Sequence, residues 1–571
     1  MDEDIHIHDI IVIGAGPCGL ALAARLREHT PSALFTDSEH QRYHWMKAST
    51  TSKRTKPVRT SRRSRTDRDR LLQGPSPSKS TIDMAVLDAQ SSTWMSSWNS
   101  KFSNLRISHL RSPMFFHPDP SDRDGLLSFT YREAREKELR EIQGVVGKSL
   151  SKHQRKQQMK RKGSVNQETS YLDERDRNDY FRPSQSLFKK YCEEVASRYG
   201  LSDLVEEAEV SSISYEPSLV DKDSGIFTLK TSAGMKRARI VVMAVGAALK
   251  PKLPPDCPFC GLEQTGSVTH AFMRPNSSPS LSKQGNTLPP HVLRKIAAKK
   301  PTNIIVVGGG LTSAQITDTA LSSGVTKVYH LMRGRMKVKH FDVDLPWVGK
   351  YKNYHLATFW SADDDEERFE MVRDARGGGS ITPEYRKILQ GHEAGGRVDI
   401  CTETEIVGAR WIEEKQCWEV KTRPEIEMPG IDHVVYATGL QVDFKGIPAL
   451  QPLLGEQDVR CIGGMPCLTD DLMLSEDVPL FVTGRLASLR LGPGAGNLEG
   501  ARMGAERIAW KVGELLRDWD KLSPGLDITE NADSGYGSTG SGEEEVDSRR
   551  MGLGIENQFA VLGREDDEED S

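Results

Sequence analysis

Gly14, Gly16 and Gly19 carry the spacing G-x-G-x-x-G between an apolar run and a helical stretch. The spacing has a physical purpose. The first glycine permits a tight turn, the second lets backbone approach a pyrophosphate, and the third lets the helix pack closely on its strand. The helix N-terminus then presents unpaired N–H groups and partial positive charge to the phosphates. Asp37, roughly 20 residues further on, is expected to accept hydrogen bonds from ribose hydroxyls. Gly308, Gly310 and Ser313 repeat the pattern, with a serine in the third place. No acid follows this second turn; Arg333 and Arg335 do, with Lys337 and Lys339 beyond. Guanidinium groups there suit a 2′-phosphate, which an acid would repel. The second dinucleotide is therefore expected to be NADPH rather than NADH.

The elements that must position these turns can be read around them. Asp9–Ile13 reads as a strand leading to Gly14, Leu20–Glu28 as the helix after it, and Ala33–Thr36 as a second strand ending at Asp37. Short strands are expected at Val210–Tyr215, Ile226–Thr231 and Ala238–Val245. After Asn303–Leu321, a second strand-turn-helix unit, come strand Val325–Met332 and further strands Val398–Val407, Trp418–Thr422 and Asp432–Ala437. One architecture thus occurs twice, each copy closing on an apolar strand that ends in Gly246 or Gly439. An amphipathic helix is expected over Ser186–Tyr199.

With 571 residues the chain exceeds what one core usually supports. Its net charge of -4 gives no global field for nucleic acid or an anionic membrane. No apolar run nears the ~20 residues that span a bilayer. The acidic start Met1–Asp4 does not read as a signal peptide, and eight scattered cysteines suit reduced thiols. A cytoplasmic protein with neither nucleic-acid nor membrane partner is expected. Residues 47–80 are rich in Ser, Thr, Arg, Lys and Pro, and 521–571 in Gly, Ser and acids; both read as disordered. A polar insertion covers about 133–177. Its basic runs, like Arg62–Arg70, read as solvated before they read as anion-binding patches.

These motifs resemble those of two-dinucleotide-binding flavoproteins, and among them the class B flavin monooxygenases. Besides the first turn, the resemblance rests on Ala437-Thr438-Gly439 and on Phe481-Val482-Thr483-Gly484 through Gly500-Ala501-Arg502. A narrower similarity, to ornithine and lysine N-hydroxylases, rests on Trp45, Leu105–Pro113, Tyr180–Pro183 and Tyr191-Cys192. The resemblance implies an α/β fold of two dinucleotide-binding, Rossmann-like domains. The FAD-binding domain would be discontinuous (1–46, 81–255 and 431–520), with an NADPH-binding domain (301–430) inserted after a linker (256–300).

FAD would be held through Gly14, Gly16, Pro17, Gly19, Asp37, Gly439, Gly484, Asn497 and Leu498, with Trp45 and Leu110 near the isoalloxazine. NADPH would be held through Gly308, Gly310, Ser313, Arg333 and Arg335. Reduced flavin and oxygen would form a hydroperoxide that oxygenates a small amine or amino acid. Arg111 stands about where those enzymes hold the substrate carboxylate with a lysine. The stretches Phe341–Trp360 and Leu491–Asn497 depart from the ornithine enzymes. The resemblance therefore implies the cofactors but not ornithine, and no oligomeric state.

Two other readings compete. Cys257-Pro258-Phe259-Cys260 is a C-x-x-C that beside a flavin could serve a disulfide reductase. As half of a zinc site it would need Cys461 and Cys467 close by, and no metal is expected. A flavoprotein-like regulator without turnover is the other. His270 and His340 read as ordinary core or surface histidines.

Overall fold

The computed structural model describes residues 5–28, 30–35, 39, 82–145, 179–217, 225–246, 250–259, 266–272, 288–349 and 351–522. The basic stretch 47–80 and all but the first two residues of 521–571 lie outside them.

The first sheet begins with β1 (Ile7–Ile13) and β2 (Met84–Asp88). A small ribbon pairs β3 (Leu139–Glu141) with β4 (Phe181–Pro183), and β5 (Val205–Glu207) returns to the sheet. The meander β6 (Val210–Glu216), β7 (Ile226–Thr231) and β8 (Gly234–Met243) follows. The second sheet holds β9 (Val268–His270), β10 (Asn303–Val307), β11 (Lys327–Met332) and β12 (Val398–Thr402). A hairpin of β13 (Glu405–Ile412) and β14 (Cys417–Arg423) precedes β15 (His433–Tyr436). Finally β16 (Met473–Ser475) and β17 (Val478–Val482) rejoin the first sheet.

The first sheet runs β16-β17-β8-β1-β2-β5, with β7 and β6 off β8; the second runs β12-β11-β10-β15-β9 and is parallel throughout. Parallel strands are covered on both faces, and their sequences show it. Ile10, Ile11 and Val12 in β1 and Ile304, Ile305 and Val306 in β10 are fully buried. The expected pair of Rossmann-like units is what forms.

The helices are α1 (Pro17–Arg25), α2 (Ser96–Asn104), α3 (Gly125–Arg132), α4 (Gln185–Arg198), α5 (Pro290–Ala297) and α6 (Leu311–Ser322). They continue with α7 (Lys352–Trp360), α8 (Asp365–Arg376), α9 (Pro383–Ala394) and the long α10 (Leu498–Leu522). Small residues let α1 and α10 approach closely: Ala21 and Ala24 on one and Ala501 and Ala505 on the other are all buried. Between them lies a buried ion pair, Arg25 Nε to Glu506 Oε2 at 2.5 Å and Arg25 Nη2 to Glu506 Oε1 at 2.9 Å. Removing one partner of such a pair costs about 3–5 kcal/mol, because the other charge is left buried.

Several expectations need correction. Residues 33–35 form a turn, not a strand, because the N–H groups of Ser32 and Ala33 both donate to Pro120 O instead of to a sheet. Residues 133–145 of the polar insertion are built into the fold, β3 pairing with β4; its remainder, 146–177, lies outside the described residues. The expected linker contributes β9 and α5. Likewise β15, read as part of the return segment, hydrogen-bonds to β10. The run 398–407 splits into β12 of the parallel sheet and the start of the β13–β14 hairpin.

Candidate functional site

The first glycine turn leaves β1 and enters α1. Gly14 has φ +115°, and a Cβ there would stand 2.5 Å from Ala244 O. A Cβ on Gly19 would stand 2.1 Å from Gly14 O, so both positions accept only glycine. Gly16 differs: its Cβ would meet nothing within 4 Å, and no side chain caps α1, whose first turn starts with Pro17. Open space in front of bare N–H groups is what a pyrophosphate needs.

Among the described residues, the acid beside this turn is Asp88. It ends β2, which lies parallel to β1, and its Oδ2 accepts the Ala15 N–H at 3.1 Å. Its Oδ1 accepts the Gln90 N–H at 3.0 Å. Only an apolar strand can fill the slot beside β1, and Met84, Val86 and Leu87 do so, each buried. Asp37 and Trp45 lie outside the described residues. An aromatic that does approach the turn is Trp94, 3.6 Å from the Cβ position of Gly19, with Nε1 donating to Leu201 O at 2.9 Å.

Leu110 is buried and its N–H donates to Pro183 O. Asn497 Oδ1 accepts the N–H groups of Glu499 and Gly500, capping α10, and Leu498 is buried behind it. Gly484 has φ +73° and faces Cys18 Sγ, whose thiol burial pushes up to about 11. Gly439, at φ +87°, accepts at its carbonyl from the Lys252 N–H.

The second turn repeats this construction between β10 and α6. Gly308 has φ +152°, and a Cβ would stand 2.6 Å from Ala437 O, as Gly14 does against Ala244. Ser313 takes the place of Gly19. Its hydroxyl lies 2.8 Å from Gly308 O and 2.7 Å from Gly310 O, so the side chain that costs space also ties the turn. Gly379, after α8, crowds the same turn: a Cβ on it would lie 3.0 Å from Gly310 N. Behind, His330 is fully buried with Nε2 2.9 Å from Gly308 O, and burial pushes its imidazole down to about 4. Arg333 and Arg335 are exposed just past β11, and Arg335 reaches Glu403 at 3.3 Å.

Arg111 is engaged by backbone carbonyls. Its Nε donates to His340 O at 3.0 Å, and its Nη2 reaches Lys339 O, Phe341 O and Ser380 Oγ at 3.0, 2.5 and 3.0 Å. A guanidinium so engaged fastens the 339–341 backbone to the segment after α2 through its Nε and Nη2.

Sequence reasoning also passed over a charged cluster where α7 meets α10. Lys352 pairs with Glu499 in the first turn of α10. Burial, then the charges of Arg502 and Arg123, push the Lys352 ammonium down. Arg502 is itself buried, with Nη2 donating to Phe115 O at 2.6 Å and Nε and Nη1 without partners. No local pattern announces this cluster, because its members come from distant segments. Asp88 and Trp94 did have a signal, an apolar run ending in an acid ahead of a tryptophan.

His270 is a partnered core residue, with Nδ1 accepting the Phe272 N–H at 3.1 Å and Nε2 3.3 Å from Thr438 Oγ1. At His340 it is the backbone carbonyl that acts, on Arg111. Cys257 is buried against the second sheet, its thiol donating to Tyr436 Oη at 3.4 Å; Cys260 lies outside the described residues.

Two sheets, the first parallel at its centre and the second parallel throughout, each with a glycine turn feeding a helix N-terminus, define a two-dinucleotide-binding oxidoreductase fold. Residues 169–442 match the family described as L-lysine 6-monooxygenase/L-ornithine 5-monooxygenase, a match that includes the second turn and not the first. The resemblance to the lysine and ornithine N-hydroxylase branch of the class B flavin monooxygenases is thereby borne out.

Solved structures agree in fold. The ornithine N-hydroxylase of Kutzneria sp. 744 superposes with TM-score 0.56 at 17% identity, over 90% of this chain and all of that one. The ornithine hydroxylase of Pseudomonas aeruginosa gives 0.55 at 16%, over 90% and 100%. The cadaverine monooxygenase of Erwinia amylovora, solved with FAD, gives 0.54 at 15%, over 94% and 100%. No curated protein sequence matches the chain. No helix among the described residues is long and apolar enough to cross a membrane.

Proposed function

We propose that this chain is an FAD- and NADPH-dependent monooxygenase that N-hydroxylates a small amine or amino acid with oxygen as co-substrate. The observation that carries the reading is the pair of glycine turns, each with its strand, its helix N-terminus and a glycine forced by a carbonyl of the neighbouring strand end. Bound FAD would supply two-electron transfer from NADPH and activation of oxygen. The chain's own residues do the rest. The bare N–H groups of α1 and the open face of Gly16 hold the FAD pyrophosphate, while the free lone pairs of Asp88 accept from its ribose. Trp94 and Leu110 keep water from the flavin side, and Asn497 fixes the start of α10 beside it.

Gly308, Gly310 and Ser313 hold the NADPH pyrophosphate, and Arg333 and Arg335 meet its 2′-phosphate. The amine is recognised without Arg111, which is committed to backbone. Cys257, hydrogen-bonded within a core, has no part. The test is NADPH oxidation and oxygen uptake by the FAD-loaded protein with ornithine, lysine, cadaverine and related amines. Hydroxylamine formed in step with NADPH consumed supports the reading. Flavin reduction without any hydroxylamine, across the amine panel, would favour a protein that has kept the fold and lost the turnover.

A further inference from the structure

At the entry to β1, two histidines and a carboxylate converge on one point. His6 and His8 are two residues apart on an extended segment, so their side chains emerge on the same face. Asp83, directly before β2, reaches both with a single oxygen: Oδ2 lies 2.6 Å from His6 Nε2 and 3.0 Å from His8 Nδ1. The main chain that carries the carboxylate is fixed, because the Asp83 N–H donates to Asp9 Oδ2 at 2.9 Å and its carbonyl accepts the Ile10 N–H at 3.1 Å. Among the described residues, these three are the group of metal-capable side chains whose ligand atoms all lie within 4.8 Å of one another.

We propose that His6, His8 and Asp83 form a binding site for a divalent first-row transition ion of the zinc type. Two imidazole nitrogens and one carboxylate oxygen are a donor set such ions favour, and a water completes a four-coordinate shell. Bonds of about 2.0–2.2 Å place tetrahedral donors roughly 3.3 Å apart. From 2.6 Å and 3.0 Å, the His6 and His8 nitrogens need therefore draw back from Asp83 Oδ2 by about 0.7 Å and about 0.3 Å. His6, whose side chain is 70% exposed, has the room to move and leaves the site open to solvent. Each ring carries its proton on the other nitrogen when it ligates. Arg27, which interacts with Asp83, and Arg239, 3.8 Å from Asp9, add positive charge nearby and keep the affinity moderate.

The ion would clip β1 to β2 at the end opposite the Gly14 turn. The seven residues of β1 put about 20 Å between the clip and that turn, so its role is structural and not catalytic.

The experiment uses the full, untagged chain, stripped with chelator and titrated with Zn²⁺ by calorimetry, with Co²⁺ as a spectroscopic substitute. The expected result is one Zn²⁺ per chain, a Co²⁺ visible spectrum of low coordination number, and a rise in Tm with Zn²⁺. In His6→Ala, an exposed substitution that should not disturb folding, affinity falls at least ~10-fold; with His8→Ala added, the site is lost. NADPH oxidation is the same in His6→Ala as in the parent. Absence of stoichiometric binding, or one Zn²⁺ retained in the double variant, overturns the proposal.

Discussion

The two glycine turns are built alike and finished differently. Each opens with a glycine whose Cβ would strike a carbonyl, that of Ala244 in one and Ala437 in the other. At the third position the first turn tolerates nothing larger than hydrogen, whereas the second carries Ser313 and recovers two hydroxyl contacts from it. Beside the first stands Asp88, an acceptor; beside the second stand Arg333 and Arg335, donors. The backbone geometry needed to approach a pyrophosphate is thus strict. On the proposed function, the choice of nucleotide would fall to one or two side chains at the end of the next strand.

The comparison breaks most violently at its common element. Gly14→Val and Gly308→Val should each cost about 3–5 kcal/mol locally, from forced φ and overpacking together. We expect the first to be recovered without flavin, and the second to keep flavin that NADPH no longer reduces; absorbance spectra and anaerobic reduction check both. Arg111→Ala removes charged hydrogen bonds worth about 1.5–3 kcal/mol each in isolation. It should lower Tm and weaken the hold of the first half on residues 339–341, with kcat falling while amine KM stays put. A selective rise in amine KM would return Arg111 to the substrate.

Asp88→Ala should weaken FAD binding by about 10–100-fold, one charged hydrogen bond's worth, and Asp37→Ala should leave it unchanged. Flavin titration of the two variants decides which acid serves the first turn. Arg333→Ala combined with Arg335→Ala should raise the NADPH KM about tenfold and leave NADH alone, an effect near 1.4 kcal/mol.

The smallest difference concerns pH. His330 and His433 in the second half are fully buried and depressed from 6.5 to about 4 and about 3; His117 is such a residue in the first half, at about 3. All are neutral in the fold, while the unfolded chain protonates its histidines below 6.5, so acid favours unfolding. From pH 7 to 6 each contributes about 0.7 kcal/mol of lost stability. Opening free energies from hydrogen exchange, referred to the intrinsic rate at each pH, should therefore fall more in the second half; an equal fall in both halves refutes the assignment.

Most of the scaffold was legible because parallel strands buried on two faces leave continuous apolar runs, and both glycine spacings are local. The strand beside β1 was not, because a run of Ala33 to Phe35 is apolar enough to imitate one while the strand that pairs with β1 comes after residues 47–80. The contacts of Arg111 were hidden for another reason. Sequence places a guanidinium near a site but does not reveal that the 339–341 carbonyls will claim it first. The cluster of Lys352, Glu499 and Arg502 is invisible in the same way, being assembled only when α7 meets α10.

The ion pair between Arg25 and Glu506 joins positions 481 residues apart. At translation speeds of about 5–20 residues per second, roughly 25–95 s separate the appearance of the two on the ribosome. During that interval the first helix leaves the exit tunnel with an arginine and an alanine-lined face whose counterparts have not yet been synthesised. The half of the molecule that starts first is thus obliged to finish last, and a nascent chain stalled anywhere before α10 holds an unfinished nucleotide cradle for chaperones to shield.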